Sequence, residues 1–485
     1  MTSPRLGAVV LGLALLAGCA TLRNKVLHGV GPDYQRPSVS SPQEYRGMLG
    51  PSEAASLADL PWWGVFGDLV LQGLIKEALE NNYNLQTAVA RIEESRALVG
   101  VAASQFYPQV EYQAQAARQR EFFPPLFGGA LATANTPFNT FLGALNVTWE
   151  IDVWGRIRRS TEAARASFLA SEEARRGVML TLVSDVATAY FQLIELDREL
   201  EIARESAETY TSTLDLFNRR YVGGTDTKLS TSRAEAALDA SAATIASLRR
   251  QITQQENALS VLLGKHPESI PRGTALVEQS MPDMPPGVPS DLLERRPDIL
   301  QAEETMINAN AEIGVAIANF FPTIGLTALY GSEASTIGNL FKNGFSVWNI
   351  VGNVGGPIFQ GGKLLEQYEA QKAFWDEMIS QYQGTIIQAF REVSDALTAQ
   401  AELVGERVAR EKQVAALREA VELSLLRYRG GHATYLDVLD AAQQLYPAED
   451  ALAQTQRDQL SAVVTLYKAL GGGWKLSDAD WGNPH

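Results

Sequence analysis

The chain of 485 residues contains a single cysteine, Cys19, and only four histidines. One cysteine excludes a disulfide within the chain, and none of the histidines falls at a metal-ligand spacing. The sequence also lacks a Gly-x-Ser-x-Gly nucleophile elbow and a glycine-rich phosphate-binding loop. These absences predict a protein that is not an enzyme and holds no metal ion.

Positive charge is also scarce, with 41 basic residues against 56 acidic ones and a net charge of −15. Acidic groups are spread among the basic ones, which argues against a surface that follows nucleic-acid phosphates, so no nucleic-acid partner is expected. Beyond the first twenty residues no run of eighteen apolar residues occurs, and no transmembrane helix is predicted. If the chain crosses a membrane, it must do so as strands.

The one cysteine closes a leader segment. Arg5 is followed by an apolar stretch from Leu6, and the run Leu16-Ala17-Gly18-Cys19 ends it, as in a secretory signal peptide. Leu-Ala-Gly-Cys resembles the bacterial lipobox, whose cysteine is lipidated before cleavage. We predict that residues 1–18 are removed and that Cys19 carries a covalent lipid, with no other cofactor. The alternative is an ordinary signal peptide with an incidental cysteine.

An internal repeat organises the rest of the chain. The segment Arg220–Leu229 matches Arg427–Leu436 at six of ten positions, at an offset of 207 residues. Upstream matches lie at an offset of 214, so the first copy carries a longer insertion between Pro108 and Gly155. A two-copy repeat of this length indicates a duplicated domain rather than a solenoid. The predicted regions are an N-terminal segment 19–67, a first repeat 68–280, a second repeat 281–473 and a tail 474–485.

Each copy is predicted to contain a helix, a β-hairpin and a long helical hairpin. Apolar residues recur at spacings of three and four from Met179 to Tyr221, a heptad pattern over about six repeats. An uninterrupted helix from Arg156 to Arg220 would approach about 100 Å in length. The helical hairpins are placed at 156–264 and 363–470. A two-stranded coiled-coil stalk is the alternative, but many Ala, Ser, Thr and Gln positions favour packing against further helices.

The β-hairpins are predicted at 108–153 and 322–359 from alternation of apolar and polar residues. Val110 and Tyr112 face one way and Glu111 the other, while Glu150 and Asp152 oppose the apolar residues of the second strand. Ten or so alternating residues with aromatics on the apolar side are typical of membrane-spanning strands. A soluble, half-buried hairpin would give the same pattern.

Four strands are too few to close a barrel, and an open sheet edge in lipid leaves backbone groups unpaired at several kcal/mol each. Several chains must therefore pool their strands, and three chains would supply twelve. The polar face would then line a wet lumen, and its candidate lumen residues are Glu111, Glu150 and Asp152.

Several short motifs in a fixed order resemble the TolC/OprM family of outer-membrane efflux channels, in particular the NodT-type lipoproteins of tripartite pumps. The resemblance covers nearly all of the chain after Cys19. The motifs that carry it are Gly31-Pro32-Asp33-Tyr34-Gln35-Arg36-Pro37, Trp62-Trp63, Phe66-Gly67-Asp68, Leu71, Leu74-Ile75, Ala78-Leu79, Asn81, Arg295-Arg296-Pro297-Asp298-Ile299, both Phe-x-Pro strand entries and both Gly-Gly turns.

This resemblance implies a mainly α fold with transmembrane β-strands. Three chains would form a twelve-stranded β-barrel, four strands per chain, continuous with a twelve-helix periplasmic α-barrel. The homotrimer would lie in the outer membrane of a Gram-negative bacterium, anchored to outer-membrane lipid at Cys19. Its implied partners are a periplasmic adaptor protein and an inner-membrane transporter of the resistance-nodulation-division (RND) type.

The resemblance also assigns roles to the helical turns. Turn residues of both copies would lie at periplasmic tips that contact the adaptor, although glycine is also ordinary turn chemistry. Leu436 and Asp440 share a helix face, and family members carry a leucine and an aspartate here that close the periplasmic aperture. Asp437 is a further gate candidate, and a solvated helix face is the alternative for all three. The tip candidates are Gly223, Gly224, Thr225, Gly430, Gly431 and Thr434.

The predicted function is a passive exit duct for small molecules or drugs, gated at its periplasmic end, in an RND-type efflux pump. The outer-membrane component of type I protein secretion shares the architecture, but the lipobox and the Gly-Pro-Asp-Tyr segment favour efflux. A periplasmic coiled-coil scaffold lipoprotein without a pore is the alternative from a different class. Adaptors usually place a lipoyl-like β domain beside a single hairpin, and the sequence shows no such plan.

Overall fold

A computed structural model describes residues 30–38, 42, 44–46, 56–120, 137–282, 285, 287, 289–342, 344–476 and 480–481. The predicted signal peptide and Cys19, the predicted lipid site, lie outside the described residues. So does most of the predicted loop between the first two strands.

The helices and strands occur in the predicted order in both copies of the repeat. The strands are β1 (Gln109–Gln119), β2 (Phe138–Ile151), β3 (Thr323–Ala334) and β4 (Ser346–Gly355). The helices are α1 (Trp62–Val65), α2 (Leu69–Asn81), α3 (Tyr83–Ser104), α4 (Arg156–Val222), α5 (Lys228–Leu262), α6 (Leu292–Arg295), α7 (Pro297–Ala318), α8 (Lys363–Arg429) and α9 (Tyr435–Ala469).

The long helices confirm the internal repeat in detail. Helices α4 and α8 each contain 67 residues, and α5 and α9 each contain 35. All four boundaries of the second copy lie 207 residues after those of the first, and α3 and α7 are related by the offset of 214. Helix α8 begins at residue 363, where the second helical hairpin is predicted to begin. Helix α4 continues two residues beyond the predicted Arg220.

The chain divides into two compact units that cut across the two repeats. One unit holds Ile92–Ala170 and Ala302–Gln381 with the described residues before Ser38, and it contains all four strands. The other unit holds Ser38–Arg91, Ser171–Gln301 and Tyr382–His485, and it contains most of the long helices. Each unit therefore takes segments from both copies.

The four strands form one antiparallel sheet in the order β1-β2-β3-β4. Residues opposite each other share a face, and Val110, Val147, Ala328 and Ile350 form one such row across the sheet. The adjacent row is Glu111, Asn146, Leu329 and Asn349, on the other face. The register thus extends the predicted alternation of apolar and polar faces from single strands to the whole sheet.

The apolar face of the sheet is largely uncovered within one chain. Tyr112 is 86% exposed, Trp348 is 71% exposed and Ile350 is 67% exposed. Among the described residues, β1 and β4 each pair with one strand only, so both edges of the sheet are open. An exposed apolar face between two open edges indicates a surface that lipid or other chains cover.

The end of β2 differs from the predicted strand, which extended to Val153. Strand β2 ends at Ile151, and Asp152 accepts hydrogen bonds from the backbone N–H groups of Ile157 at 3.1 Å and Arg158 at 3.0 Å. The carboxylate therefore satisfies free donors at the start of α4, and this contact ends the strand.

The second unit has a continuous apolar core. Val183, Val186 and Leu193 of α4 are fully buried and pack with residues of α2 and α9, including Ile75 and Leu466. Burying a side chain of this size stabilises the fold by about 1.5–3 kcal/mol. The heptad pattern of α4 is therefore explained by packing against several helices rather than against a single partner.

By length and composition α4 is the one helix among the described residues that could span a membrane, which the sequence reasoning did not anticipate. However, 61% of its most apolar window is buried inside the protein. The apolarity of this segment is accounted for by the core that it forms.

Candidate functional site

The turn between α4 and α5 is closed by a helix C-cap. Gly224 has a φ of +71°, the left-handed conformation that glycine adopts at low cost. Thr225 donates its N–H to the carbonyl of Arg220 at 2.9 Å, and Gly224 donates to that of Tyr221 at 3.0 Å. This hydrogen-bond pair satisfies the last carbonyls of α4 and reverses the chain.

The turn between α8 and α9 repeats this geometry. Gly431 has a φ of +74°, His432 donates its N–H to the carbonyl of Arg427 at 2.8 Å, and Gly431 donates to that of Tyr428 at 3.0 Å. The predicted tip glycines thus form two equivalent, exposed turns. Their turn role is clear from the backbone, whereas contact with an adaptor stays a prediction.

A cluster of side chains connects the two turns, and the sequence analysis missed it. The Arg220 guanidinium lies 4.9 Å from the ring centroid of Tyr428 and donates a hydrogen bond to its hydroxyl. Tyr435 packs edge-on against Tyr428, with ring centroids 5.0 Å apart, and against Phe217 at 4.6 Å. The counterparts of Tyr435 and Phe217 in the other copy are Lys228 and Ser424, so a comparison of the copies could have singled them out.

Asp437, a predicted gate residue, caps helix α9. Its carboxylate accepts hydrogen bonds from the Thr434 backbone N–H at 2.8 Å and from the Thr434 hydroxyl at 3.0 Å. This arrangement is a capping box, in which an acidic residue three positions into the helix satisfies the backbone donor that precedes it. Thr434, a predicted tip residue, is the other half of the same contact.

Leu436 and Asp440 project away from the packed face of α9. Leu436 is 53% exposed, and Asp440 is exposed and accepts a hydrogen bond from the Gln444 side chain at 2.9 Å. Val438 and Leu439, between them, are buried. The structure therefore leaves both predicted gate side chains available to a surface outside the single chain. The corresponding exposed positions of the first copy are Leu229 and Arg233.

The predicted lumen residues occupy two different settings. Glu111 is exposed on the polar face of the sheet, opposite Asn146. Glu150 accepts two hydrogen bonds from the guanidinium of Arg156, at 2.9 and 2.7 Å, at the point where the chain enters α4. Asp152, the cap of α4, lies beyond the strand and also accepts from Arg158 Nε at 3.1 Å.

The Gly-Pro-Asp-Tyr-Gln-Arg-Pro segment packs onto charged side chains within the first unit. Tyr34 donates its hydroxyl to Glu303 of α7 at 2.9 Å, and Arg36 forms an ion pair with the same carboxylate. Arg159 of α4, 3% exposed, donates to Asp33 at 3.0 Å. The motif therefore joins the N-terminal segment to two helices, and Glu303 and Arg159 are partners that the sequence analysis did not identify.

The Arg-Arg-Pro-Asp motif places a buried cation in the second unit. Arg296 donates to Asp298 at 2.6 Å, to Glu392 of α8 at 2.8 Å and to the last carbonyl of α9, at Ala469, at 2.9 Å. Burial opposes the charge on this guanidinium, but the hydrogen bond and charge of Asp298 and the charge of Glu392 raise its pKa overall. Arg296 thus links α8 with the end of α9.

Over the part of the chain that the structure describes, no group of three or more His, Cys, Asp or Glu side chains could hold a metal ion. The described geometry instead defines a class of protein. Each copy of the repeat contains a β-hairpin followed by a long helical hairpin. The two β-hairpins together form an open four-stranded sheet with an exposed apolar face, as in a subunit of an outer-membrane channel.

Residues 74–265 and 288–472 match the outer membrane efflux protein family, and the chain belongs to this family. The two matched segments follow the two copies of the repeat. The predicted resemblance is therefore confirmed, and the protein is an outer-membrane channel component of a tripartite efflux pump. The family is one of transport proteins.

Relatives match over almost their whole length. The solvent efflux pump outer membrane protein SrpC of Pseudomonas putida is 34% identical over 479 residues, which cover 96% of this chain and 98% of the relative. The cation efflux system protein CusC of Escherichia coli is 30% identical over 452 residues, which cover 92% of this chain and 96% of the relative. The crystal structure of the open state of the MtrE outer membrane channel of Neisseria gonorrhoeae superposes with a TM-score of 0.82 at 32% identity, covering 92% of this chain and 99% of that one.

Proposed function

We propose that three copies of this chain form the passive exit duct of an RND-type efflux pump. The observation that carries this proposal is the open four-stranded sheet with one apolar face and one polar face. In the assembly, three sheets close a twelve-stranded barrel in the outer membrane, and twelve long helices form the periplasmic tunnel. A periplasmic adaptor and an inner-membrane transporter complete the pump. The protein carries out no chemical reaction on its cargo.

The cost of an open edge in lipid supports an assembly of several chains, which we propose to be a trimer. Each unpaired backbone group there costs several kcal/mol, so β1 of one chain and β4 of the next gain by pairing. Barrel diameter grows with strand number, and about eight strands leave an interior filled by side chains. Twelve strands therefore leave room for a wet passage lined by the polar face that carries Glu111.

The gate in this proposal lies at the exposed face of Leu436 and Asp440. Three-fold symmetry converts each side chain into a ring of three, and a ring of carboxylates beside a ring of leucines narrows the aperture. Asp437 is already engaged as the cap of α9, so we assign the gate to Leu436 and Asp440 rather than to Asp437. In the first copy of the repeat, Arg233 occupies the position that matches Asp440. The acidic ring would therefore come from the second copy only.

The cargo is proposed to be small molecules, because relatives are named for solvent efflux and cation efflux. Those same names differ in the cargo, which suggests that the inner-membrane partner does most of the choosing. They also favour small-molecule efflux over the type I protein secretion alternative.

Single-channel conductance of the purified trimer in planar bilayers tests the duct and its gate. We expect discrete conductance steps from the wild-type protein and a higher conductance from Asp440→Ala, because the variant removes the carboxylate ring. Asp239→Ala, which removes an exposed carboxylate of α5, is the matched control and should conduct as the wild type does. A trimer that gives no conductance would support the scaffold alternative, and an unchanged Asp440→Ala would remove this residue from the gate.

A further inference from the structure

Helix α9 contains a proline between its gate-bearing part and its core-anchored part. Pro447 lies two turns beyond Asp440, whereas Val464 and Tyr467 pack in the core of the unit. Proline lacks the N–H that would bond to the carbonyl of Gln443, and its ring crowds that carbonyl, so a helix bends most easily here. The neighbouring helix α4 contains no proline.

A cavity lies beside Pro447, between α9, α4 and α5. Its volume is about 270 Å³, and small side chains form much of its wall, including Ala203 and Ser206 of α4 and Ala237 and Ser241 of α5. Close-packed helices seldom leave such a space. The cavity gives α9 room to change its angle against α4 without unpacking the core.

A carboxylate lies three residues after the proline and lines the same cavity. Asp450 Oδ1 is buried and has no hydrogen-bond partner. Burial, followed by the charges of Glu199 and Glu449, raises the pKa of Asp450 to about 7, and Arg198 opposes this change. The residues of α5 along the cavity carry no titratable group, and the Glu449 carboxylate is held by Arg418 of α8 at 2.6 Å.

Two tyrosines, Tyr210 of α4 and Tyr446 of α9, also line the cavity. Burial raises the pKa of each hydroxyl above the ordinary value of 10.0. Both side chains therefore stay neutral between about pH 5 and pH 9. A pH response in this range is left to the carboxyl groups.

A second buried carboxylate lies on α4 along the same contact between helices. Glu195 is 3% exposed, and Arg457 of α9 lies 3.7 Å from it. Burial, followed by the hydrogen bond and charge of Glu199, raises the pKa of Glu195 to about 8, with Asp458 adding to the effect and Arg457 opposing it. Gln454 of α9 donates to Glu199 at 2.7 Å, and the charge of Glu199 acts on both Asp450 and Glu195.

We propose that the α4–α9 contact around Asp450 and Glu195 is a proton-controlled hinge for the gate-bearing part of α9. With both carboxylates protonated, α9 packs against α4 and the gate stays closed. Loss of the protons places repelling charges in a partly buried contact, and α9 bends at Pro447 to separate them and expose them to water. This proposal rests on the proposed function, in which the gate lies on α9.

The direction of the pH effect follows from linkage. Both carboxyl groups hold their protons more tightly in the packed state than in water, so packing is strongest in acid. It weakens as the pH rises from about 4, the ordinary range of a carboxyl group, through 7 to 8. The channel should therefore open more readily at pH 8.5 than at pH 5.5.

Conductance of the full-length trimer at pH 5.5 and 8.5 tests the hinge. We expect the open probability of the wild type to rise by roughly tenfold, the equivalent of one pKa unit. Asp450→Asn, a neutral side chain of the same shape, should show a clearly smaller rise, because only Glu195 then still loses a proton in this range. Glu208→Gln, on an exposed position of α4, is the matched control and should follow the wild type.

Two further variants distinguish the hinge from a direct effect of pH on the gate carboxylates. Because Asp440 is a carboxylate of the gate itself, the comparison is repeated in an Asp440→Ala background, where Asp450→Asn should still reduce the pH response. Glu195→Gln should reduce the response independently if Asp450→Asn fails to assemble. The hinge is overturned if the wild type conducts without a pH response, or if both neutral variants respond to pH as the wild type does. In either case the proposed function still stands. Absence of conductance in all proteins at both pH values overturns the proposed function and the hinge with it.

Discussion

At the scale of single residues, Asp68 joins separate segments of the second unit. Its carboxylate accepts hydrogen bonds from Val70 N at 2.8 Å, from the Tyr190 hydroxyl at 2.9 Å and from Thr274 N at 2.9 Å. Burial by itself raises the pKa of Asp68, but hydrogen bonds, led by that from Gln279, lower it overall. The carboxylate is thus a helix cap and a link between chain segments.

Asp68→Asn should destabilise the protein in a pH-dependent way. The folded-state pKa is depressed, so the stabilisation is present above the ordinary pKa near 3.8 and is lost as the pH falls through the lower folded value. We expect a loss of about 1–3 kcal/mol in the free energy of unfolding at pH 7. Denaturant unfolding between pH 3 and 7 measures it, and the difference from wild type should shrink below pH 4. A constant difference would contradict the ionic role.

Gly273→Ala should be destabilising because of space rather than backbone conformation. A Cβ there would overlap the Asp68 carboxylate, an approach that atoms do not tolerate. We expect a cost of about 1–3 kcal/mol, measured by denaturant unfolding. Gly405→Ala, in the interior of α8 with no atom within 4 Å, is the control and should stabilise by up to about 1 kcal/mol. Equal effects of the two changes would argue against the close approach.

At the scale of elements, the two helical hairpins have the same backbone but different side chains at their ends. Both turns use a C-cap with glycine at positive φ. Only the second turn carries the capping box of Thr434 and Asp437 and the acidic Asp440. The two copies therefore share a scaffold, and a few side-chain differences distinguish α9, which carries the proposed gate.

The first turn contains two adjacent glycines, of which only Gly224 has a positive φ, so the effect of backbone conformation can be tested by changing each glycine to alanine. Gly224→Ala should destabilise the end of α4 by about 1 kcal/mol, because a side chain at φ +71° is strained although nothing lies within 4 Å of the added Cβ. Gly223→Ala has no positive φ and should cost less. Hydrogen exchange of residues 215–230 measures the difference. A larger effect at Gly223 would show that contacts rather than backbone conformation limit this turn.

At the scale of the whole molecule, the proposed lipid on Cys19 and the exposed apolar face of the sheet would act at the same membrane. We propose that three acyl chains on Cys19 anchor each N-terminus, since two or more chains are enough for stable anchoring. Among the described residues, the segment from Val30 continues into the contacts of Asp33, Tyr34 and Arg36 with α4 and α7. This packing would hold the anchored segment against the unit that carries the strands.

Cys19→Ser, with a working signal peptide, should still assemble when overexpressed but place less protein in the outer membrane. In this proposal the strands and the helical core fold without the lipid, whereas delivery and retention depend on it. Membrane fractionation with quantitative immunoblotting measures the distribution, and a signal-matched wild type is the control. Equal placement of the two proteins would make the lipid dispensable.

Periodicity and repetition were enough to predict the elements. The equal spacing of the two copies placed the start of α8 correctly at residue 363, and alternation placed β1 and β2 within the predicted hairpin at 108–153. The face shared by Leu436 and Asp440 also followed from helical spacing, and both side chains are exposed. These features depend on the local spacing of residues, and that spacing can be seen directly in the sequence.

By itself, the sequence determined the duplicated plan, the order of helices and strands, the apolar and polar faces of each strand and the family. Only the tertiary structure decided that Asp437 caps a helix, that Asp152 ends a strand and that Arg220 contacts Tyr428. It also decided that Asp450 lines a cavity beside Pro447 with its Oδ1 buried. The physical reason is the sequence separation over which each kind of interaction acts. Propensity and periodicity act over a few residues, whereas burial and charge pairing depend on residues that the fold brings together from distant parts of the chain.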